Sequence, residues 1–415
     1  MPASICIYIK VVDNMKVLML SSYFYCKEHS EFERNKTGFG LLIPEIATSV
    51  GSVHDVSIDT YVMTEGFLLS THLGTCNVLK HTKKMILKYI RLRDLFSVCR
   101  LFDFGTSFRN RIHNIYYEIN TGCIKRSLLT ENPDIVHIHD IQMPFIKACE
   151  SAGIPYIVTL HGLNGFLDSV DKKKKTDEKE FLQRAYKDGI LVTVISTGIK
   201  RRIEKEYLNG MVADNIVVVT NGTNVNRKKN DDIIQNEEDI KIITVIGNIC
   251  ERKNQLQIVE AARLLGDRLD GFQIHFCGND TMGGQLQELV SKYGLEDKIL
   301  FRGFLSPEDI DNLLDMAELN IVASTDEGFG LSMIEAFVHG VPTLTFADLD
   351  AVPDLYDEKA MLLCHERTTE KFAEAMEAAL KKEWNRDEII KYSNKFSLQT
   401  MASDYVSQYE KVLNK

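Results

Sequence analysis

The chain has 415 residues, 44% hydrophobic and 26% charged, which is enough for two domains with substantial cores. Its 49 basic and 59 acidic residues give a formal net charge of −10, arguing against general nucleic-acid binding and against a wholly basic membrane-surface protein. Nine scattered cysteines without a C-x-x-C pair suit reduced thiols in a cytosolic protein better than a disulfide framework or a zinc site.

No apolar run reaches the ~18 residues that span a bilayer. Residues 1–14 hold one short apolar stretch, Ile5 to Ile9, without a charged leader, so a signal peptide is not expected. Met15 to Leu20 reads as the natural opening of a first strand. Thr37-Gly38-Phe39-Gly40 then leads into a helical stretch, Leu41 to Val50, as a glycine loop that a ligand could approach closely. Its spacing is not G-x-G-x-x-G, which leaves a dinucleotide oxidoreductase weakly supported.

Residues 79–100 carry Lys80, Lys83, Lys84, Lys88, Arg91, Arg93 and Arg100 against one acid, Asp94. Met85, Tyr89, Leu92, Phe96 and Cys99 step by three and four. The pattern predicts an amphipathic basic helix, either a surface helix on the core or a peripheral contact with the inner face of a membrane.

Asp134 to Asp140 and Ile154 to Leu160 read as successive strands, the second ending in His161-Gly162. Short β-rich runs alternating with helical ones imply a parallel sheet covered on both faces. Ligands bind beyond the C-terminal ends of such strands. His137, His139, Asp140 and His161 all fall there, yet their spacing lacks the helical H-x-x-x-H logic of a metal site, and no metal is expected. The lysine run Lys172 to Lys175 reads as a solvated loop. Strands at Leu191 to Ile195 and Val217 to Thr220 follow, the latter running into Asn221-Gly222.

Arg227 to Asp239 is highly charged and poor in large apolar residues, as an interdomain linker would be. A new α/β unit opens with Ile242 to Ile246, the turn Gly247-Asn248, and a helix across Asn254–Leu265. Arg252 and Lys253 lie between them. Phe272 to Phe276 ends at Cys277-Gly278-Asn279, and Ile299 to Phe301 leads to a loop at Arg302-Gly303-Phe304. Asp348-Leu349-Asp350 reads as a surface loop. A final helix covers Met401 to Leu413.

The densest chemistry lies at Asp326 to Glu335. An apolar strand, Leu319 to Ala323, runs into Glu327-Gly328-Phe329-Gly330-Leu331-Ser332 and then a helix. Glycines allow a tight turn and close ligand approach. Amides at Gly330, Leu331 and Ser332 would open a helix N-terminus, where phosphate is favoured. Glu327 and Glu335, with seven residues between them, could accept hydroxyl hydrogen bonds on either side.

Glu327-x7-Glu335 with its internal Gly-Phe-Gly-Leu-Ser resembles the donor-site signature of retaining, nucleotide-sugar-dependent glycosyltransferases of family 4. The Asp-Ile-Val-His-Ile-His-Asp and Thr-Leu-His-Gly segments resemble that family's N-terminal domain. The resemblance implies the α/β GT-B fold: two Rossmann-like, doubly wound parallel-sheet domains facing a central cleft. The expected boundaries are 15–225 for an acceptor domain, 226–239 for a linker and 240–395 for a donor domain, with a C-terminal helix at 396–415 packing back on the first.

It further implies a substrate nucleotide sugar, with a UDP-sugar the first choice, no required cofactor, and a saccharide or lipid-linked acceptor in cell-surface polysaccharide or glycolipid synthesis in the cytoplasm. By resemblance, Glu335 holds the ribose, Glu327 lies against the transferred sugar, and the amides from Gly328 to Ser332, including Phe329, surround the diphosphate. Gly247 and Lys253 fit the family's phosphate turn, but Asn248 stands where the family has Arg, with Arg252 as a substitute cation. Gly278, Arg302, Gly303 and Phe304 fall near the nucleotide. His161 carries a catalytic role beside the sugar, with Glu327 and Lys253, while Gly38, Gly40, His139, Asp140 and Asn221 border the acceptor. A same-fold epimerase or phosphorylase, or a catalytically silent nucleotide-binding partner of another transferase, are the alternatives.

Overall fold

The computed structural model describes residues 15–21, 25, 38–52, 54–64, 76–80, 85–93, 118, 121–166, 172–226 and 240–414. The chain divides into two units: one holds Met1–Val194, Ile203–Val219 and Ala402–Lys415, the other Ile195–Arg202 and Thr220–Met401. The expected linker falls almost wholly on 227–239, outside the described residues.

In the first unit eight strands form one sheet in the order β3-β4-β2-β1-β5-β6-β7-β8. They are β1 Lys16–Ser21, β2 Asp55–Thr64, β3 Cys76–Lys80, β4 Met85–Arg93, β5 Ile135–His139, β6 Tyr156–Leu160, β7 Val192–Val194 and β8 Ile216–Val218. All neighbours are parallel except β3 and β4. Strands of a parallel sheet are covered on both faces, and so they read as apolar runs: β5, Ile135-Val136-His137-Ile138-His139, is buried along its whole length.

The second unit carries six parallel strands ordered β11-β10-β9-β12-β13-β14. These are β9 Lys241–Ile246, β10 Phe272–Cys277, β11 Ile299–Gly303, β12 Ala317–Val322, β13 Thr343–Phe346 and β14 Met361–Cys364. In chain order that is the doubly wound 3-2-1-4-5-6 arrangement. Its order reverses between β9 and β12, and the crevice beyond those two strand ends is where such sheets bind ligands.

Three expectations need correction. Residues 79–100 do not form an amphipathic helix: β3 and β4 occupy 76–80 and 85–93 as an antiparallel pair, with β4 also parallel to β2 over Val56–Thr64. The run Met-Ile-Leu-Lys-Tyr-Ile-Arg-Leu-Arg satisfies a helical spacing, but it is equally rich in β-favouring Ile and Tyr, and pairing with β2 decides between them. Residues 94–100 lie outside the described residues. Gly38 and Gly40 are not in a loop, because the helix Gly38–Val50 already begins at Gly38. Lys172 to Lys175 are the first turn of the helix Lys172–Asp188, where Lys173 bonds Asp177 one turn on at 2.7 Å.

Candidate functional site

The second unit gathers its candidate residues at the switch point. Gly247 follows β9, and its N–H donates to the Cys277 carbonyl at 2.9 Å. Gly278 follows β10, and a Cβ there would run into the Gly247 carbonyl, so the two turns touch backbone to backbone. The Gly278 N–H donates to Gly303 O at 2.8 Å, adding the end of β11 to the group. Arg302 and Gly303 therefore belong to the strand and not to a loop, while Phe304 just beyond is exposed.

Asn248 is committed to this backbone frame. Its Oδ1 accepts from the Asn279 N–H at 3.1 Å, and its carbonyl accepts from the Gln255 side chain at 3.0 Å. Arg252 and Lys253 lie on a short 3-10 turn, Glu251–Lys253. The Lys253 side chain crosses Gly247 and ends at Glu327, with Nζ to Oε2 at 2.6 Å. Arg252 donates to the Asp326 carbonyl at 2.9 Å and stands 3.7 Å from the same Glu327 oxygen. Ser324 Oγ is 3.3 Å from it. Burial raises the Glu327 carboxyl's pKa, but Lys253, Arg252 and Ser324 together outweigh that and hold it below the ordinary range.

After β12 the chain turns at Glu327–Gly330 into the helix Leu331–Val338. Gly330 sits at φ 80° as the N-cap. Glycine tolerates that backbone freely, and a Cβ would also strike the Met333 side chain. Having no side chain, Gly330 leaves the first-turn amides uncapped by their own N-cap residue, as an anion site requires. Phe329 and Ser332 are buried, and Leu331 is half-buried. Glu335 lies on the second turn; burial pushes its carboxyl up to about 7, Asp311 adding to the rise and Lys253 opposing it. The triplet Asp348–Asp350 is spent on ion pairs, Asp348 with Arg367 at 2.7 Å and Asp350 with Arg202 at 2.6 Å. Asn221 stands apart, buried on the segment whose next residues bond Phe396 and Leu398 through Thr223.

In the first unit the candidate residues meet at the ends of β5 and β6. His139 Nδ1 is 3.0 Å from His161 Nε2, and the His161 N–H donates to Asp140 Oδ1 at 3.1 Å. Asp140 adopts φ 63°, which turns the chain sharply out of β5. Burial raises its carboxyl to about 6 against the His161 amide, with Glu178 adding to the rise and Lys174 opposing it. Burial lowers His161 to about 3 and takes His137 and His139 well below the usual imidazole range, so all three rings are neutral at physiological pH.

His137 is a core residue, bonded through Nδ1 to Tyr409 Oη at 2.8 Å and through Nε2 to Thr159 Oγ1 at 2.6 Å. Among the described residues, no group of three or more His, Cys, Asp or Glu side chains could hold a metal ion, and no helix is long and apolar enough to cross a membrane. Cys123, Cys149, Cys250, Cys277 and Cys364 are free thiols.

Sequence reasoning missed Glu178. Its buried carboxylate accepts from Asn164 N–H and Gly165 N–H, both at 2.9 Å, and from Tyr207 Oη at 2.8 Å, fixing the loop after His161. Nothing in the local pattern around Glu178 marked it, since its partners lie 13 to 29 residues away.

Two family models match the chain: "Glycosyl transferases group 1" over residues 226–396 and "Glycosyltransferase Family 4" over residues 102–227. Mannosylfructose-phosphate synthase of Agrobacterium fabrum is 30% identical over 112 residues, 25% of this chain and 25% of the relative. The chain thus matches about a quarter of that relative's length. The uncharacterized glycosyltransferase YqgM of Bacillus subtilis is 22% identical over 309 residues, covering 70% of this chain and 81% of the relative. Among solved structures, sucrose-phosphate synthase from Thermosynechococcus elongatus superposes with a TM-score of 0.71 at 16% identity, covering 97% of this chain and 100% of the other. WaaG, a glycosyltransferase involved in lipopolysaccharide biosynthesis, gives 0.66 at 15% identity, covering 95% and 99%. At those identities the likeness is one of fold, and the fold is GT-B.

Proposed function

The chain belongs to the family 4 glycosyltransferases, and from that premise we propose that it moves a sugar from a nucleotide-diphosphate sugar to a saccharide or lipid-linked acceptor with retention of configuration. A UDP-sugar is the first candidate donor; a solved structural neighbour, Anabaena Alr3699/HepE, is described in complex with UDP and glucose. The observation that carries the reading is the Lys253–Glu327 ion pair, 2.6 Å long, set beside an uncapped helix N-terminus at the switch point of the second sheet.

In this proposal the diphosphate lies against the amides opening the helix Leu331–Val338, with Lys253 and Arg252 as its cations, and Glu335 accepts from the ribose hydroxyls. As the bond from the anomeric carbon to the diphosphate oxygen breaks, the electron pair stays with the diphosphate, where fixed cations and amides stabilise it. The acceptor oxygen bonds to the same carbon, and its proton passes to the departing phosphate oxygen. Glu327 lies against the transferred sugar. Neutralisation by lysine, arginine and helix amides makes a metal unnecessary. A cytoplasmic place in cell-surface polysaccharide or glycolipid synthesis goes with such donors and acceptors.

The test is a thermal-shift panel of nucleoside diphosphates and nucleotide sugars on wild type and Glu335→Ala, followed by turnover with any donor that binds. A ligand at a hundred times its Kd stabilises by about 2.7 kcal/mol. No shift with any nucleotide refutes the reading. One observation favours a second reading, a silent nucleotide-binding partner: Asn248, whose side chain is bonded to Asn279 where the family pattern has a cation. Binding without turnover, with every acceptor offered, separates the two.

A further inference from the structure

Between β12 and Glu327 the backbone is held by side chains from distant parts of the second unit. The Ala323 carbonyl accepts from Asn254 at 3.3 Å, the Ser324 carbonyl from Arg367 at 3.1 Å and the Asp326 carbonyl from Arg252 at 2.9 Å. The Asp326 carboxylate accepts from Arg202 at 3.0 Å. Ser324 is fully buried, and its hydroxyl donates to Glu327 Oε2 at 3.3 Å. Where the Ser324 backbone sits therefore sets where the Glu327 carboxylate is steadied.

Arg367 and Arg202 are each anchored by one end of the triplet Asp348-Leu349-Asp350, which follows β13. Leu349 is buried and pins the triplet to the core, with an aspartate on either side of it. Asp348 accepts from Arg367 as a fork, Nε to Oδ2 at 2.8 Å and Nη2 to Oδ1 at 2.7 Å. The same guanidinium lies over the Phe346 ring, 4.2 Å from its centroid. Asp350 pairs with Arg202 at 2.6 Å. The Asp348 side chain is 62% exposed, and an ion pair so open to water adds little to stability. What a two-point grip on a planar group adds is orientation: it leaves Nη1 aimed at the Ser324 carbonyl.

We infer that Arg367 and Arg202, anchored by Asp348 and Asp350, are positioning residues: they fix Ser324 and Asp326, on either side of Thr325, and thereby the seat of the Glu327 carboxylate beside Lys253. The triplet Asp348-Leu349-Asp350 is then the outer support of the loop that carries Glu327. The clamp stands on the contacts themselves, while its use in turnover rests on the transferase reading.

The test compares the full chain with Arg367→Met, Arg367→Lys, Arg202→Met and Arg202→Lys, and adds Ser324→Ala alone and together with Arg367→Met. Without substrate, hydrogen exchange at the amides of residues 325–328 quickens about tenfold in both Met variants, ahead of β12 and of the helix Leu331–Val338, and by less in the Lys variants. Circular dichroism and Tm identify a variant that has merely unfolded, and the milder Lys variant then carries the comparison. With UDP-glucose, or whichever nucleotide sugar the thermal-shift panel selects, each Met variant lowers kcat about tenfold, as for one weakened transition-state contact, while UDP binds with unchanged Kd and stoichiometry. On top of Ser324→Ala, Arg367→Met lowers Tm as before but adds little to the loss of kcat, because its route to Glu327 is already gone. Unchanged exchange at 325–328 in both Met variants overturns the inference, as does a UDP Kd that weakens in step with kcat or a fully additive kcat loss on top of Ser324→Ala. If no nucleotide sugar is turned over, the transferase reading falls and the exchange pattern still decides the clamp.

Discussion

Replacing Lys253 with alanine leaves the Glu327 carboxylate, 13% exposed, without its nearest cation. Breaking a buried ion pair by removing one partner costs about 3–5 kcal/mol. Here Arg252, 3.7 Å from the same oxygen, and Ser324 at 3.3 Å retain part of the field, so we expect about 2–3 kcal/mol. The sign with pH follows from Glu327, whose pKa is depressed in the folded protein. Its stabilisation is present above the unfolded carboxyl value of about 4.3 and disappears as pH falls through the folded one.

In Lys253→Ala, burial is less opposed and the carboxyl moves up, so the deficit against wild type should grow from pH 4 toward neutrality. Urea unfolding of the second unit, in a cycle with Glu327→Gln, reads the coupling directly. Lys253→Met combined with Glu327→Gln should recover most of the loss, because no charge is then left buried. A coupling energy below about 0.5 kcal/mol, the size of an exposed pair, would refute the reasoning.

Three further outcomes follow from named contacts. Glu335→Gln should separate stability from binding: the folded carboxyl stands at about 7, above its unfolded value, so wild-type stability is highest at acid pH and declines as pH rises toward 7. The glutamine variant lacks that decline and gains on wild type over the same window in a Tm-against-pH series, while its thermal shift with nucleoside diphosphate shrinks. Gly278→Ala drives a Cβ into the Gly247 carbonyl and should cost about 1–3 kcal/mol by denaturant titration, with weaker nucleotide binding, since the displaced Gly247 turn is the one the Lys253 side chain crosses. Glu178→Ala removes the acceptor for Asn164 N–H, Gly165 N–H and Tyr207 Oη; it should lower stability by about 2 kcal/mol or more and speed amide exchange at 164–165 ahead of the sheet.

The second unit was the more legible half because its chemistry is local. Apolar strand, glycine turn and helix follow one another within Ala317–Val338, and each states its type in its own residues. The short β-rich runs at Lys241–Ile246 and Phe272–Cys277 were equally plain. The first unit misled at 79–100, where basic residues and large apolar ones fit a helical wheel and a strand alike. There the partner strand β2, about 30 residues earlier in the register Val56–Met85, made the choice, and no window confined to the segment contains it.

The same distance in sequence hid the site's electrostatics. Lys253 and Glu327 could each be nominated from a motif, but their pairing spans 74 residues, and it changes what each one is. Without ligand, Lys253 is not a free cation awaiting phosphate; it already neutralises the Glu327 carboxylate. A donor that binds here must therefore take a share of an occupied lysine, and Arg252, 45% exposed and 3.7 Å from the same carboxylate, is placed to make up the difference. That gives Asn248 a physical reason. An arginine at 248 would give up the Oδ1 bond that ties the β9 turn to the β10 turn. Asparagine keeps the frame of the turn, and charge is supplied four residues later, from the side that faces Glu327.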